Sequence, residues 1–418
     1  MTEVFKPELA LFDPPEVQTA IVNGAWADIY PSGSNLNTGE IEFEIVGNND
    51  YVDLNDTVLT VNASIVTAAN GAALDATDDV AFINAPLYSM FSDVKVILNG
   101  VRVDGGESNY PYKAMMSMLF SFSKSTLDQQ MFSAGYIKDV AGKMDSDVQA
   151  NSAHEKRSKW NAGHTFIGRL MNDTFQQPRY LLNNVTIKIV LSKATAEFAI
   201  LAVKAVANPK FIINSAKLTI RRVTVSDSIM AAHEKALLRS NVIYPYPRKV
   251  INYFGLNPGI QVFIKENIYD GETPKMLIIA LVQDDAFNGS FKKNPFNFIH
   301  ANACEVSVKR DGVNHVAQPY NPDFKAKEWM REYMAIYNLF GREENLSFTH
   351  DEYGAGYTFF VFNLTPDLSM TNALLPNSSL RLKVKFAEKL KETLSLITFA
   401  LFDGVFEIDK NRKVYTNI

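Results

Sequence analysis

Residues 294–312 read NPFNFIHANACEVSVKRDG, and residues 84–100 read NAPLYSMFSDVKVILNG. Each stretch opens on an Asn with a Pro close behind, Asn84 with Pro86 and Asn294 with Pro295. Each crosses an aromatic segment and then alternates, through Val94, Val96 and Leu98 in one case and Val306 and Val308 in the other. Each ends in a two-residue turn, Asn99-Gly100 or Asp311-Gly312. Period-two alternation puts those side chains on one face of a strand. Asn-Gly and Asp-Gly are the pairs a tight hairpin selects, because both central residues need positive φ. The chain therefore makes one strand-to-hairpin move twice.

The surroundings repeat as well. Behind the two turns come the helical patterns Tyr112–Phe122 (YKAMMSMLFSF) and Lys327–Leu339 (KEWMREYMAIYNL). Further on, IKIVLSKA at 187–194 and LKVKFAEK at 382–389 share their alternation. Around these lie other short runs rich in Val, Ile, Phe and Thr, bounded by Gly, Asn, Asp and Pro. They include 41–47, 58–66, 217–225, 251–256, 275–282, 357–364 and 394–402. Many short, evenly spaced strands mark an antiparallel sandwich or barrel. An eight-stranded Greek-key sandwich with helices in its loops is a jelly roll. The expectation is all-β: two tandem eight-stranded jelly-roll sandwiches, a double jelly roll, with short helices in the loops. A length of 418 residues exceeds what one growing core supports and agrees with two domains. The Ser-capped helix SDSIMAAHEKALL at 226–238 and the loop YPYPRK behind it place the boundary. This gives an N-terminal jelly roll at 1–225, a helical linker at 226–240 and a C-terminal jelly roll at 241–418.

Composition narrows the function classes. A net charge of −5 supplies no global attraction to nucleic acid or to an acidic membrane surface. Apolar runs such as LIIAL at 277–281 are too short to span a bilayer. The opening MTEVFKPELALFDPPE has acids and prolines where a leader has an apolar run. A single cysteine, Cys304, excludes an intrachain disulfide and reads as a small buried hydrophobe. The chain reads as a product of a reducing compartment, cytosol or nucleus.

The search for chemistry is negative. His154, His164, His233, His300, His315 and His350 are scattered, with no metal-ligand spacing. Asp284-Asp285 and the DSD at 145–147 read as solvated turn acids. YGAGYT at 353–358 precedes a strand, so its Gly-X-Gly cannot cradle a phosphate at a helix start. SFSK at 121–124 has the Ser-X-X-Lys spacing without its partner motifs and reads as a helix terminus. HEKRSKW at 154–160 reads as the surface of a polar loop. No catalytic, cofactor-binding or metal residue is assigned, no cofactor is expected, and no specific nucleic-acid site is expected.

Several long segments carry a resemblance. They are YVDLNDTVLTV (51–61), LYSMFSDVKVILNG (87–100), HEKALLRSNVIYPYP (233–247), PKMLIIALVQDDAFNGSFKKNPFNFIHANACEVSVKRDG (274–312) and GYTFFVFNLTPD (356–367). Together with the ending NSSLRLKVKFAEKLKETLSLITFALFDGVFEIDKNRKV, they resemble the major capsid proteins of Polinton (Maverick) elements and the related adintoviruses. The resemblance runs in order along nearly the whole chain and is weak over Ser123–Thr165 and the first dozen residues. It implies a structural protein and no enzyme. It implies homotrimeric, pseudo-hexameric capsomers of an icosahedral viral or virus-like shell. The partners implied are copies of itself, neighbouring capsomers and penton or minor capsid proteins, in a virion made in host cytoplasm or nucleus. The alternatives are a minor or penton capsid protein and a domesticated host β-sandwich binding protein.

Two expectations concern surfaces. The polar run Ser123–Thr165 has no long counterpart in the second half and is expected to project from one end of a sandwich, dispensable for folding. With 28 Phe and 17 Tyr, the chain has aromatic clusters beside turns, FNF (296–298), IYPYP (243–247) and YPY (110–112). These are expected at the contact between subunits.

Overall fold

The structure, a computed structural model, describes residues 17–33, 35–67, 71, 72, 74, 78–106, 108–147, 150–204, 208–314, 319–340, 346–366, 368 and 377–416. The opening segment 1–16, read above as lacking a leader, and His315 lie outside them.

The strands of the first half are β1 (Ile21–Ile29), β2 (Glu40–Ile45), β3 (Tyr51–Thr67), β4 (Ala81–Phe82), β5 (Phe91–Leu98), β6 (Val101–Asp104), β7 (His164–Arg169), β8 (Ile187–Lys193), β9 (Ile200–Leu201) and β10 (Pro209–Val225). Those of the second half are β11 (Val242–Leu256), β12 (Val262–Lys265), β13 (Met276–Gln283), β14 (Ala303–Arg310), β15 (Val313–Asn314), β16 (Phe360–Asn363), β17 (Leu380–Phe386), β18 (Leu394–Ile408) and β19 (Val414–Thr416). The first half builds two four-stranded sheets, β1-β10-β3-β7 and β2-β8-β5-β6. The second builds β11-β18-β13-β16, to which β19 adds, and β12-β17-β14-β15. β4 and β9 form a separate short pair. Within each half, the first strand lies beside the last and the second beside the seventh of the eight sandwich strands. That is jelly-roll order, given twice, and the fold is a double jelly roll.

β5 and β14, which carry the two quoted alternations, hold the same place in that order. Each pairs with the seventh strand on one side and a hairpin partner on the other. Asn99 and Gly100 sit at φ 45° and 83°, Asp311 and Gly312 at 50° and 83°. Those paired positive angles are what the hairpin chemistry requires. The shared alternation at 187–194 and 382–389 falls on β8 and β17, again corresponding strands.

β13 departs from alternation because both of its faces are covered. Leu277, Ile279 and Leu281 point into the second sandwich with Val306, Val308, Leu382 and Phe386. Met276, Ile278, Ala280 and Val282 join the larger core that belongs to the first half. A strand buried on both faces reads as a continuous apolar run. The halves are thus packed through the outer face of β11-β18-β13-β16.

Two expectations are corrected here. The run Ser123–Thr165 does not project. It forms helices Lys124–Gln129 and Ser152–Ser158, and Leu127, Tyr136, Met144, His154, Arg157 and Trp160 are buried. Its polar residues bond to one another and to partners elsewhere in the chain, among them Phe82 O, Asn294, Asn297 and Glu352, and its buried apolar residues anchor it. The aromatic clusters are also buried within one chain, at Tyr110, Tyr112, Tyr244, Tyr246, Phe296 and Phe298. Tyr112 stacks on Phe287 at 5.3 Å between ring centres and meets Phe296 edge-on at 5.7 Å. These rings fill the seam between halves, so they are not available to a neighbouring subunit.

Candidate functional site

The seam contains two polar knots. In the first, Lys113 of helix Tyr110–Ser121 reaches Asp173 at 2.7 Å and Asp104, the last residue of β6, at 3.1 Å. From the second half, the Lys249 backbone N–H on β11 donates to Asp173 at 2.7 Å, and its ammonium donates to Gln176 at 2.6 Å. A cavity of about 60 Å³ lies beside this knot, lined by Asp104, Lys113, Asn172, Asp173, Arg248 and Lys249 among others. Burial lifts the Asp173 carboxyl to about 6, against the pull of Lys113. Burial lowers Lys113, but Asp104 and Asp173 outweigh it and raise its pKa. Lys249 is held down by burial. A buried charge persists only when paired and hydrogen-bonded; Lys113 and the Lys249 N–H supply this at one Asp173 oxygen, while the other is buried without a hydrogen-bond partner, in keeping with the raised pKa.

The second knot explains why Ser123–Thr165 is held inside. Arg157 is fully buried and donates to Phe82 O at 2.9 Å, Ile137 O at 3.0 Å and Asp139 at 2.6 Å. Asp139 also accepts from Asn151 at 3.3 Å and Asn294 at 3.2 Å. The two Asn residues that open the repeated stretches both grip this segment. Asn84 accepts from Ile137 N–H at 2.9 Å, and the Asn294 N–H donates to Asp145 at 2.6 Å. So HEKRSKW is not the surface it was expected to be, since His154, Arg157 and Trp160 are buried. An arginine with three acceptors in reach is stable inside.

The remaining sequence candidates do not converge. Asp284 accepts from Ser395 at 2.7 Å, while Asp285 pairs with Lys293 at 2.7 Å. Asp145 receives Asn297 at 2.7 Å and Asp147 pairs with Lys204 at 2.8 Å. Ser123 caps helix Lys124–Gln129 by accepting from Thr126 N–H at 3.2 Å, as its reading as a helix terminus implies. Gly354 and Gly356 are held by packing, the first against Trp329 and the second at φ +115° beside Met144 and Asn297. Cys304 is half-buried, more accessible than expected. Among the described residues no group of His, Cys, Asp and Glu could hold a metal ion, and no helix is long and apolar enough to cross a membrane.

What sequence reasoning missed are exposed apolar side chains away from the seam. Met330, Met334 and Tyr337 lie along helix Met330–Phe340 at exposures of 57%, 39% and 38%. Trp26 on β1 and Ile167 on β7 are exposed at 58% and 43%. The helical spacing of 330, 334 and 337 was a visible signal. It matched a buried stripe equally well.

No family model matches the chain. It is 25% identical to an uncharacterized protein of Caenorhabditis elegans, over 94% of this chain and 97% of that one. Among solved structures it is similar to a chain of the Sputnik virophage, with a TM-score of 0.65 at 12% identity, covering 100% of this chain and 93% of that one. It is similar to the mavirus major capsid protein, with a TM-score of 0.55 at 12% identity over 100% and 96%. It is also similar to the Faustovirus major capsid protein, with a TM-score of 0.54 at 10% identity over 94% and 92%. The shared property is the fold, end to end and through both jelly rolls.

Proposed function

We propose that this chain is a major capsid protein, a structural and non-catalytic building block that assembles as a homotrimer. The observation that carries the reading is the likeness of fold over the whole length, both sandwiches included, to the mavirus and Faustovirus major capsid proteins. The physical logic supports it. A hexagonal lattice needs six roughly equal sides per unit, and three chains with two like-ordered halves supply them in a closed ring of heterologous contacts. The domains are 1–225 and 241–418, joined by 226–240. The capsomer is pseudo-hexameric and belongs to an icosahedral shell of the Polinton and adintovirus kind. Its partners are further capsomers and penton or minor capsid proteins, and it is made in host cytoplasm or nucleus. The duplicated sandwich speaks against a single-jelly-roll penton protein.

The nematode relative favours a second reading, a host-resident, domesticated gene product of the same fold. Expression followed by light scattering and negative-stain microscopy tests both. Trimers that close into shells support the capsid reading. Trimers that never form shells favour the domesticated form, and a strict monomer at high concentration overturns the trimer.

A further inference from the structure

In each half the connection between corresponding strands opens with its longest helix. Helix Tyr110–Ser121 lies between β6 and β7, and helix Met330–Phe340 between β15 and β16. The first is buried on all sides, with Tyr112, Met115, Met116, Met118 and Leu119 almost wholly enclosed. It packs on β5 of its own half and, across the seam, on the edge strand β11 and against Phe287 and Phe296. The second helix buries Ile336 and Glu332 but leaves Met330, Met334 and Tyr337 to solvent. One side of this second helix rests on β16 of its own half, and the apolar stripe on its other side has no counterpart on the enclosed copy.

A face suited to that stripe is also on the molecule. Ile251, Phe399, Ile278 and Val361 form one row across β11-β18-β13-β16 and are all buried toward the first half. Among the described residues nothing covers the corresponding outer face of β1-β10-β3-β7. Alternation turns Ala27, Ile220, Val61 and Phe166 inward, so Trp26 and Ile167 point outward, opposite Arg221 and Thr60. Around them stand the ion pairs Arg169–Asp56, Lys217–Asp28 and Arg221–Asp53. Such a mixed face stays soluble until covered, as a contact between separately folded chains must.

We infer that helix Met330–Phe340 docks on the outer face of β1-β10-β3-β7 of a second copy of this chain, repeating between subunits the contact that joins the halves within one. Repetition of one contact around a ring is what lets six sandwiches from three chains close. The inference rests on the trimer proposed above and names its contact.

Two variants test it in full-length protein. Combining Met330→Lys, Met334→Lys and Tyr337→Lys should weaken trimer association by at least roughly 30-fold in sedimentation equilibrium, the scale of a lost interface anchor. The unfolding midpoint of the monomer should be unchanged, because these side chains are exposed in it. Val313→Lys, at an exposed turn, should leave the trimer intact. In a Cys304→Ser background, Met334→Cys with Ile167→Cys, or with Trp26→Cys, should give covalent trimers on oxidation. A trimer that survives the triple variant, or that forms without either cross-link, overturns this contact and leaves the capsid reading standing. A wild-type protein that stays monomeric removes both.

Discussion

Sheets β1-β10-β3-β7 and β11-β18-β13-β16 have one topology and opposite outer faces. On β3 the residues between Leu59, Val61, Ala63 and Ile65 are Thr60, Asn62 and Ser64. On β13 those between Leu277, Ile279 and Leu281 are Ile278 and Ala280. One outer face hydrogen-bonds and ion-pairs with itself, and the other is core. The difference shows when each face meets its cover. A partner within the same chain is always present, so its face carries no need for solubility. The outer face of β1-β10-β3-β7, for which a second copy is proposed above, meets water in the single chain and must be soluble there.

Matched substitutions break the comparison most sharply. Ile278→Asp puts an unpaired carboxylate between the halves and should cost about 4 kcal/mol or more, read as loss of cooperative unfolding. Thr60→Asp, on the uncovered face, should stay within about 0.5 kcal/mol in the monomer. Equal losses would mean that both faces are sealed alike.

Asp139→Ala comes next, because it strands Arg157 in the interior. A cost of about 3–5 kcal/mol in chemical denaturation is expected. A loss under about 1 kcal/mol would show that the polar knot can open at little cost.

Asp173 gives a pH-dependent sharpening. Its folded carboxyl lies at about 6 against an ordinary 3.8, so the folded protein holds a proton that the unfolded chain releases across that window. Stability from this group therefore rises as pH falls from about 6 toward 4, by up to roughly 2 kcal/mol, and is lost as pH rises. Denaturation midpoints of Asp173→Asn across the window should lack that slope. A wild-type profile without it would sink the assignment.

The smallest effect belongs to the surface. Lys95→Ala removes a solvent-facing pair with Glu40 and should change stability by less than about 1 kcal/mol.

The fold was legible in the sequence because turn chemistry and alternation act locally. Asn99-Gly100 and Asp311-Gly312 fix their hairpins whatever surrounds them, and LIIAL marks β13 by lacking alternation. The site was less legible because burial is decided by distant partners. Nothing near Arg157 in sequence reveals that Phe82, Ile137 and Asp139 will converge on it. FNF and YPYP looked like contact surfaces because aromatics beside turns look alike whether another half or another chain covers them. Met330, Met334 and Tyr337 are the mirror case, an exposed stripe with the spacing of a core one.

β13 also bears on the order in which the chain is made. Its second apolar face needs the first sandwich as a landing surface, and synthesis from the N-terminus delivers that sandwich first. The β13 strand Met276–Gln283 then emerges beside a surface ready to receive it. A permuted chain starting at β11 would leave that strand waiting on the ribosome with a bare hydrophobic side, the kind of segment that aggregates. For this protein the order of the two halves is part of the folding instruction.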